Sequence, residues 1–216
     1  MLFKDRREAG RRLAEILKPY QAENPVVVGL PRGGVPVAYE VAKALDAPLD
    51  VMGVRKLGAP GNPEYGIGAI AEEDVRLASR RDLLGLNISP STLSDLIDSE
   101  TAELQSRLES IRASYPEIDV KGRTVILVDD GLATGLTAAA AAQALRRRGA
   151  AKIILAAPVC ASTLPQTLVE EVDAVHCVAT PEYLGSVGAW YGDFSQTPDT
   201  EVLSLMEDIR SSPGAE

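Results

Sequence analysis

Two carboxylates stand side by side at the end of an apolar run, Val125-Ile126-Leu127-Val128-Asp129-Asp130, and the small-residue stretch Gly131-Leu132-Ala133-Thr134-Gly135-Leu136-Thr137 follows directly. Such a run reads as a buried strand, which puts Asp129 and Asp130 at its carboxyl end, where open α/β sheets bind ligands. Ala133 to Thr137 then reads as a loop entering a helix. Backbone N–H groups, two hydroxyls and the positive helix end converge there on one point, suited to a phosphate monoester. Carboxylates only accept hydrogen bonds, so the acidic pair suits sugar hydroxyls or a hydrated Mg²⁺ rather than that phosphate. The ligand combining these features is a ribose 5-phosphate. A solvated strand end followed by an ordinary helix start is the plainer alternative, and the combined spacing weighs against it.

A second anion-binding pattern lies near the amino terminus. Val26-Val27-Val28-Gly29-Leu30 is too apolar for an edge strand and leads into the turn Pro31-Arg32-Gly33-Gly34. Arg32 offers a fork to phosphate oxygens, and Gly33 and Gly34 let backbone amides approach an anion closely. Alone, a glycine-rich strand-to-helix turn is mere topology more often than a site. Two other patterns carry less. Gly66-Ile67-Gly68-Ala69-Ile70-Ala71 nearly matches a dinucleotide fingerprint, but no strand leads into it and Glu72-Glu73-Asp74 follows where a helix is needed. His176, the one histidine, sits beside Cys177 inside an expected strand and reads as a packed side chain rather than a catalytic base.

These segments need elements to position them. The spacing predicts an amphipathic helix from Asp5 to Tyr20, a strand at 26–30, a helix at 35–45 and a strand at 49–54. Gly58, Pro60, Gly61 and Pro63 make 56–65 a mobile loop, and the apolar runs at 66–71 and 75–77 suit a hairpin. Ser89-Pro90 starts a long charged helix reaching about Arg112. Strands at 124–128, 152–157 and 174–179 then alternate with helices at 137–148 and 164–171. Alternation of this kind means an α/β fold, a doubly wound and mainly parallel sheet. After Thr180-Pro181 the pattern breaks into a glycine- and aromatic-rich segment before Asp199 caps a last helix.

With 216 residues and 45% hydrophobic side chains, the chain can build one substantial core but not two ordinary domains. A net charge of -9 gives no footprint for nucleic acid or an anionic membrane, so an anionic ligand must meet a local, organised site. Two cysteines without close spacing, and no apolar stretch of signal or spanning length in MLFKDRREAGRRL, fit a reducing cytoplasm.

VILVDDGLATGLT resembles the motif with which type I phosphoribosyltransferases bind 5-phosphoribosyl-1-diphosphate (PRPP), and the whole chain resembles a bacterial subgroup of predicted phosphoribosyltransferases. That resemblance implies a PRPP-binding α/β core over 1–180, with a flexible loop at about 55–65, and a hood segment with a C-terminal helix over 181–216. It implies that Asp129 and Asp130 bind the ribose hydroxyls and hold Mg²⁺, mainly through water. Ala133, Thr134, Gly135, Leu136 and Thr137 take the 5-phosphate, and Arg32, Gly33 and Gly34 form the pyrophosphate loop. Arg55 and Lys56 open the flexible loop that closes over the pyrophosphate, while Trp190 and Tyr191 lie in the hood and meet the accepting base, Trp190 being the better candidate. Trp190, Tyr191 and Phe194 equally suit a miniature core of the hood itself.

The implied reaction displaces pyrophosphate from C1 of PRPP by a nitrogenous base or amine, through a transition state with oxocarbenium character. Arg32, Lys56, Asp129 and Asp130 carry it. The expected partners are small molecules, with a homodimer and neither nucleic acid nor membrane. Ala133 stands where hypoxanthine-guanine phosphoribosyltransferases carry a carboxylate, so a general base must come from elsewhere, for example Glu64 or a hood residue. The alternative reading is a non-catalytic PRPP-sensing regulator. A metal-assisted hydrolase using Asp129 and Asp130 ranks last.

Overall fold

The structure, a computed structural model, describes residues 2–211. In chain order the elements are α1 (Arg6–Leu17), β1 (Val26–Gly29), α2 (Gly34–Leu45), β2 (Leu49–Val51), β3 (Val54–Ala59), β4 (Asn62–Ala71) and β5 (Val75–Ala78). There follow α3 (Arg80–Gly85), α4 (Pro90–Arg112), β6 (Thr124–Val128), α5 (Leu136–Arg147), β7 (Lys152–Val159), α6 (Gln166–Val169), β8 (Ala174–Ala179) and α7 (Asp199–Arg210). Five strands form a wholly parallel sheet in the order β2-β1-β6-β7-β8. β1, β2, β6 and β7 are buried on both faces, as parallel strands covered by helices must be, while the edge strand β8 is half-buried throughout. Val27, Ile126, Val128 and Ile154 point to the face covered by α1, α2 and α7. Their neighbours Val26, Val28, Leu127 and Ile153 point to the face covered by α5.

α5 is unusual in what it buries. Ala138, Ala139, Ala140, Ala141, Ala142 and Ala144 are all fully inside, so the helix lies between the parallel sheet and the second, antiparallel sheet β3-β4-β5. Methyl side chains leave room for backbones on both sides.

Where the breakers at 56–65 predict a mobile loop, the chain instead forms the β3–β4 hairpin. The physical reason is placement. β3 is an edge strand paired only with β4, Pro60 and Gly61 occupy the turn, and Gly61 adopts the left-handed conformation that the reversal needs (φ 79°). Gly58 is required by contact, because a Cβ there would lie 2.5 Å from the Pro63 carbonyl oxygen, and the pairing shifts register at this point. The expected β4–β5 hairpin forms, and the near-dinucleotide pattern at 66–71 lies inside β4. α4 runs from Pro90 behind a Ser89 cap to Arg112, as expected, and packs Leu104 and Leu108 under the hairpin. The C-terminal helix does not stay with the hood: α7 buries Val202, Leu205, Met206 and Ile209 against the core. Cys160, directly after β7, and Cys177 in β8, seventeen residues apart, form a disulfide. Among the described residues no helix is long and apolar enough to cross a membrane.

One guanidinium ties the two sheets together at the base of the hairpin layer. Arg148, directly after α5 and only 9% exposed, reaches Glu72 at 2.7 Å, Glu73 at 3.0 Å and Glu117 at 2.9 Å. Glu72 also accepts the Gly53 N–H at 2.5 Å. Burial already holds the Glu117 carboxyl above its usual range, opposed by Arg148. Arg148→Met strands these carboxylates together and is expected to lower unfolding stability by about 3 kcal/mol, the low end for a buried network since Glu73 and Glu117 keep solvent contact. Without the cation, the Glu117 carboxyl, which burial already raises, loses the charge that opposes that rise. The variant's deficit, read from urea midpoints, is therefore smaller at pH 5 than at pH 8.

Candidate active site

β1 and β6 are neighbours, with Val28 opposite Leu127 and Gly29 opposite Val128, so the loops leaving their carboxyl ends must meet. The Leu30 N–H donates to the Val128 carbonyl at 2.9 Å. A Cβ on Gly33 would lie 2.0 Å from Asp130 Oδ2, and one on Gly34 would lie 2.7 Å from the Val128 carbonyl oxygen and 3.0 Å from Asp129 Cα. These glycines are where the sequence needs no side chain, because the acidic pair rests against them.

The pair is electrostatically costly. Asp129 Oδ1 accepts the Asp130 N–H at 2.8 Å. Burial pushes both carboxyls above the usual carboxylate range, and the charge of Asp130 pushes Asp129 further. For Asp130 the opposing influence is Arg6, whose Nε donates to Asp130 Oδ2 at 2.8 Å while its Nη1 donates to the Ser195 carbonyl at 2.7 Å. The same guanidinium lies 3.9 Å over the ring of Phe194. Sequence reasoning missed Arg6: it is 124 residues from its partner, on a helix whose several arginines look alike.

Directly downstream, Gly135 adopts φ 68° and α5 begins without a side-chain cap. The N–H groups of its first turn therefore have no partner within the helix. Ala133 and Thr134 are exposed, and Leu136 packs its side chain on the core, leaving its backbone for any ligand. Arg32 follows a cis peptide bond and lines a cleft of about 700 Å³ whose other walls are the β3–β4 hairpin and α4. Lys56 lines it too. Arg55 does as well, but α4 claims its guanidinium through an ion pair with Glu100. The side chain of Glu64 lies outside the described residues.

The sequence leaves the hood aromatics as base contacts or as a miniature core of the hood, and in the structure they pack together. Tyr191 is only 3% exposed, its ring 5.3 Å from that of Phe3 and 5.0 Å from that of Phe194. Its hydroxyl donates to the Asp130 carbonyl at 2.6 Å, which ties the hood to the acidic pair. Trp190 is half-buried and donates its indole N–H to the Leu184 carbonyl at 3.0 Å. The reason is the chain's own start: the N–H groups of Leu2 and Phe3 both donate to the Trp190 carbonyl at 2.9 Å, and Phe3 completes a small core with Tyr191. His176 is a packed strand residue, with Nε2 2.8 Å from the Tyr20 hydroxyl and a pKa that burial holds below its usual value.

Two outcomes follow from the glycine contacts. Gly33→Ala meets the end of a side chain, so it should leave the melting temperature near wild type while displacing Asp130. Gly34→Ala meets backbone, and should cost about 1–3 kcal/mol in denaturant unfolding. The raised carboxyls give a third. Because the folded-state pKa of Asp129 is raised, the protein loses stability as pH rises through it. Asp129→Asn should therefore stabilise the ligand-free chain at pH 8 and have little effect near pH 4, read by thermal melts across pH.

Comparison with known proteins gives this geometry its relatives. The chain is 44% identical over 206 residues, 95% of its length, to the Mycobacterium tuberculosis protein Rv0571c, which is provisionally named a phosphoribosyl transferase, and it covers 46% of that protein. A ribose-phosphate pyrophosphokinase of Methanopyrus kandleri is 33% identical over 142 residues, covering 57% of this chain and 49% of the kinase. The chain thus spans about half the length of the curated relatives it matches. The crystal structure of TT1426 from Thermus thermophilus superimposes with a TM-score of 0.75 at 39% identity, covering 96% of this chain and 99% of that one. The phosphoribosyl transferase domain profile matches residues 4–178, and the chain belongs to that family.

Proposed function

We propose that the chain binds PRPP with Mg²⁺ and transfers its phosphoribosyl group to a nitrogenous base or amine, releasing pyrophosphate. The observation that carries this reading is the seating of Asp130 against Gly33, which joins the acidic pair, the uncapped start of α5 and the Arg32 loop at one sheet edge. The amides of 133–137 receive the 5-phosphate, and the two carboxylates accept from the ribose diol. The diphosphate extends into the cleft beside Arg32 and Lys56.

Among the described residues no cluster of three or more His, Cys, Asp or Glu could enclose a metal. Two adjacent carboxylates nonetheless fit Mg²⁺, which keeps several waters and takes its remaining ligands from a phosphate substrate. Asp129 and Asp130 would hold it, and it would supply positive charge against the developing charge of the diphosphate. The protein's own contribution is to orient C1 toward the acceptor, to exclude water with the hairpin and hood, and to stabilise the leaving group with Arg32 and Lys56.

One observation favours a second reading, a PRPP sensor without turnover: the hood aromatics are engaged by Phe3, Arg6 and Leu184 instead of facing an acceptor. Pyrophosphate release with a panel of purines, pyrimidines and amines separates the two. Release with an acceptor supports transfer, and tight PRPP binding without release supports the sensor. For either, Asp129→Asn with Asp130→Asn is expected to weaken PRPP–Mg²⁺ binding at least about 100-fold in calorimetry, with the fold intact. Unchanged affinity removes the basis of the ribose assignment.

A further inference from the structure

The chain as a whole is strongly acidic, with a net charge of -9, yet the described residues lining the 700 Å³ cleft bring four cations, Arg32, Arg55, Lys56 and Arg107, together with the carboxylate of Glu100. Glu100 is itself committed to Arg55. Outside that pair, Arg32 on the β1–α2 loop and Arg107 on α4 bring positive charge to the cleft from two separate elements. A local concentration of this kind in an acidic chain points to a polyanion held at that spot.

Arg107 is placed firmly. It lies on the half of α4 whose Leu104 and Ile111 are buried, and the neighbouring Leu108 packs so close that a Cβ on Gly53 would come within 2.6 Å of it. Its ion-pair partner is Asp199 at the start of α7, at 3.6 Å and with a side chain 57% exposed. Such a loose, solvated pair contributes little to stability and leaves the guanidinium available to a stronger anion. Arg107 also lines the adjoining groove that shares Pro31 with the cleft, so it stands directly beside the Pro31-Arg32 turn.

We propose that Arg107 is a diphosphate-binding residue, closing with Arg32 and Lys56 around the leaving group from the α4 side of the cleft. This assignment rests on the PRPP reading above. It gives α4 a role at the site, and it makes Arg107 the cation that replaces Arg55, whose charge is spent on Glu100.

The test is calorimetric titration of the full chain with PRPP–Mg²⁺, pyrophosphate–Mg²⁺ and ribose 5-phosphate, comparing wild type with Arg107→Gln, Arg107→Lys and Asp199→Asn. Arg107→Gln is expected to weaken PRPP and pyrophosphate about 10- to 150-fold, the value of a hydrogen bond to a charged group, and to leave ribose 5-phosphate unchanged. Arg107→Lys should restore part of the loss. Asp199→Asn breaks the same α4–α7 ion pair and should bind all three ligands as wild type does, which a merely structural role for Arg107 would not allow. The assignment is overturned if Arg107→Gln binds pyrophosphate and PRPP like wild type, or if it loses ribose 5-phosphate equally. Wild-type protein that binds neither PRPP nor ribose 5-phosphate would sink the phosphoribosyl reading, and this assignment with it. Wild type that binds both alongside an unaffected Arg107→Gln sinks the Arg107 role alone.

Discussion

Everything at the sheet edge depends on how closely two backbone turns approach. The β1–α2 turn lies against the end of β6 with no side chain between them, and Gly33 and Gly34 are the residues that permit this. The approach presses a half-buried acidic pair against the Arg32 turn, and the loss of solvent raises both carboxyls, so their charged forms are destabilising there. Arg6 relieves this in part, from a helix that belongs to neither loop. The hood joins through Tyr191, whose hydroxyl holds the Asp130 carbonyl. Core, hood and amino terminus therefore share one hydrogen-bonded junction.

The parallel sheet was legible in the sequence because its strands are short apolar, β-branched runs, most of them buried on both faces, a pattern that amphipathic helices do not produce. β6 and β8 begin and end where the apolar runs do, and α4 follows its Ser-Pro cap and extends to Arg112. The run at 66–71 was legible as a strand, but 56–65 was not. Glycine and proline mark breaks in a central strand, yet at an edge and in a tight turn they are tolerated, and edge position is a property of the assembled sheet. The one-turn α6, expected over eight residues, shrank because only Leu168 finds burial there.

At the site, the residues within one motif were readable and the contacts between motifs were not. Asp129, Asp130 and the loop to Thr137 are contiguous, so their chemistry is local. Arg6 meets Asp130 across 124 residues, and Arg55 is neutralised by Glu100 from 45 residues away. No spacing rule announces either. For Tyr191 the sequence leaves two readings, a base contact implied by the resemblance or part of a miniature core. What places it in a core is Phe3 from the other end of the chain, which no local pattern announces.

The alanine wall of α5 sets a limit on how this protein can adapt. A buried methyl group has no rotamers, so a helix walled with them on both sides offers nothing to rearrange. The loop that α5 carries at its amino end should accordingly present its amides in one fixed position. Movement around this edge of the sheet must then fall to the hairpin that lines the cleft beside Arg32. That hairpin is paired along one edge only and held at its foot by the Arg148 cluster.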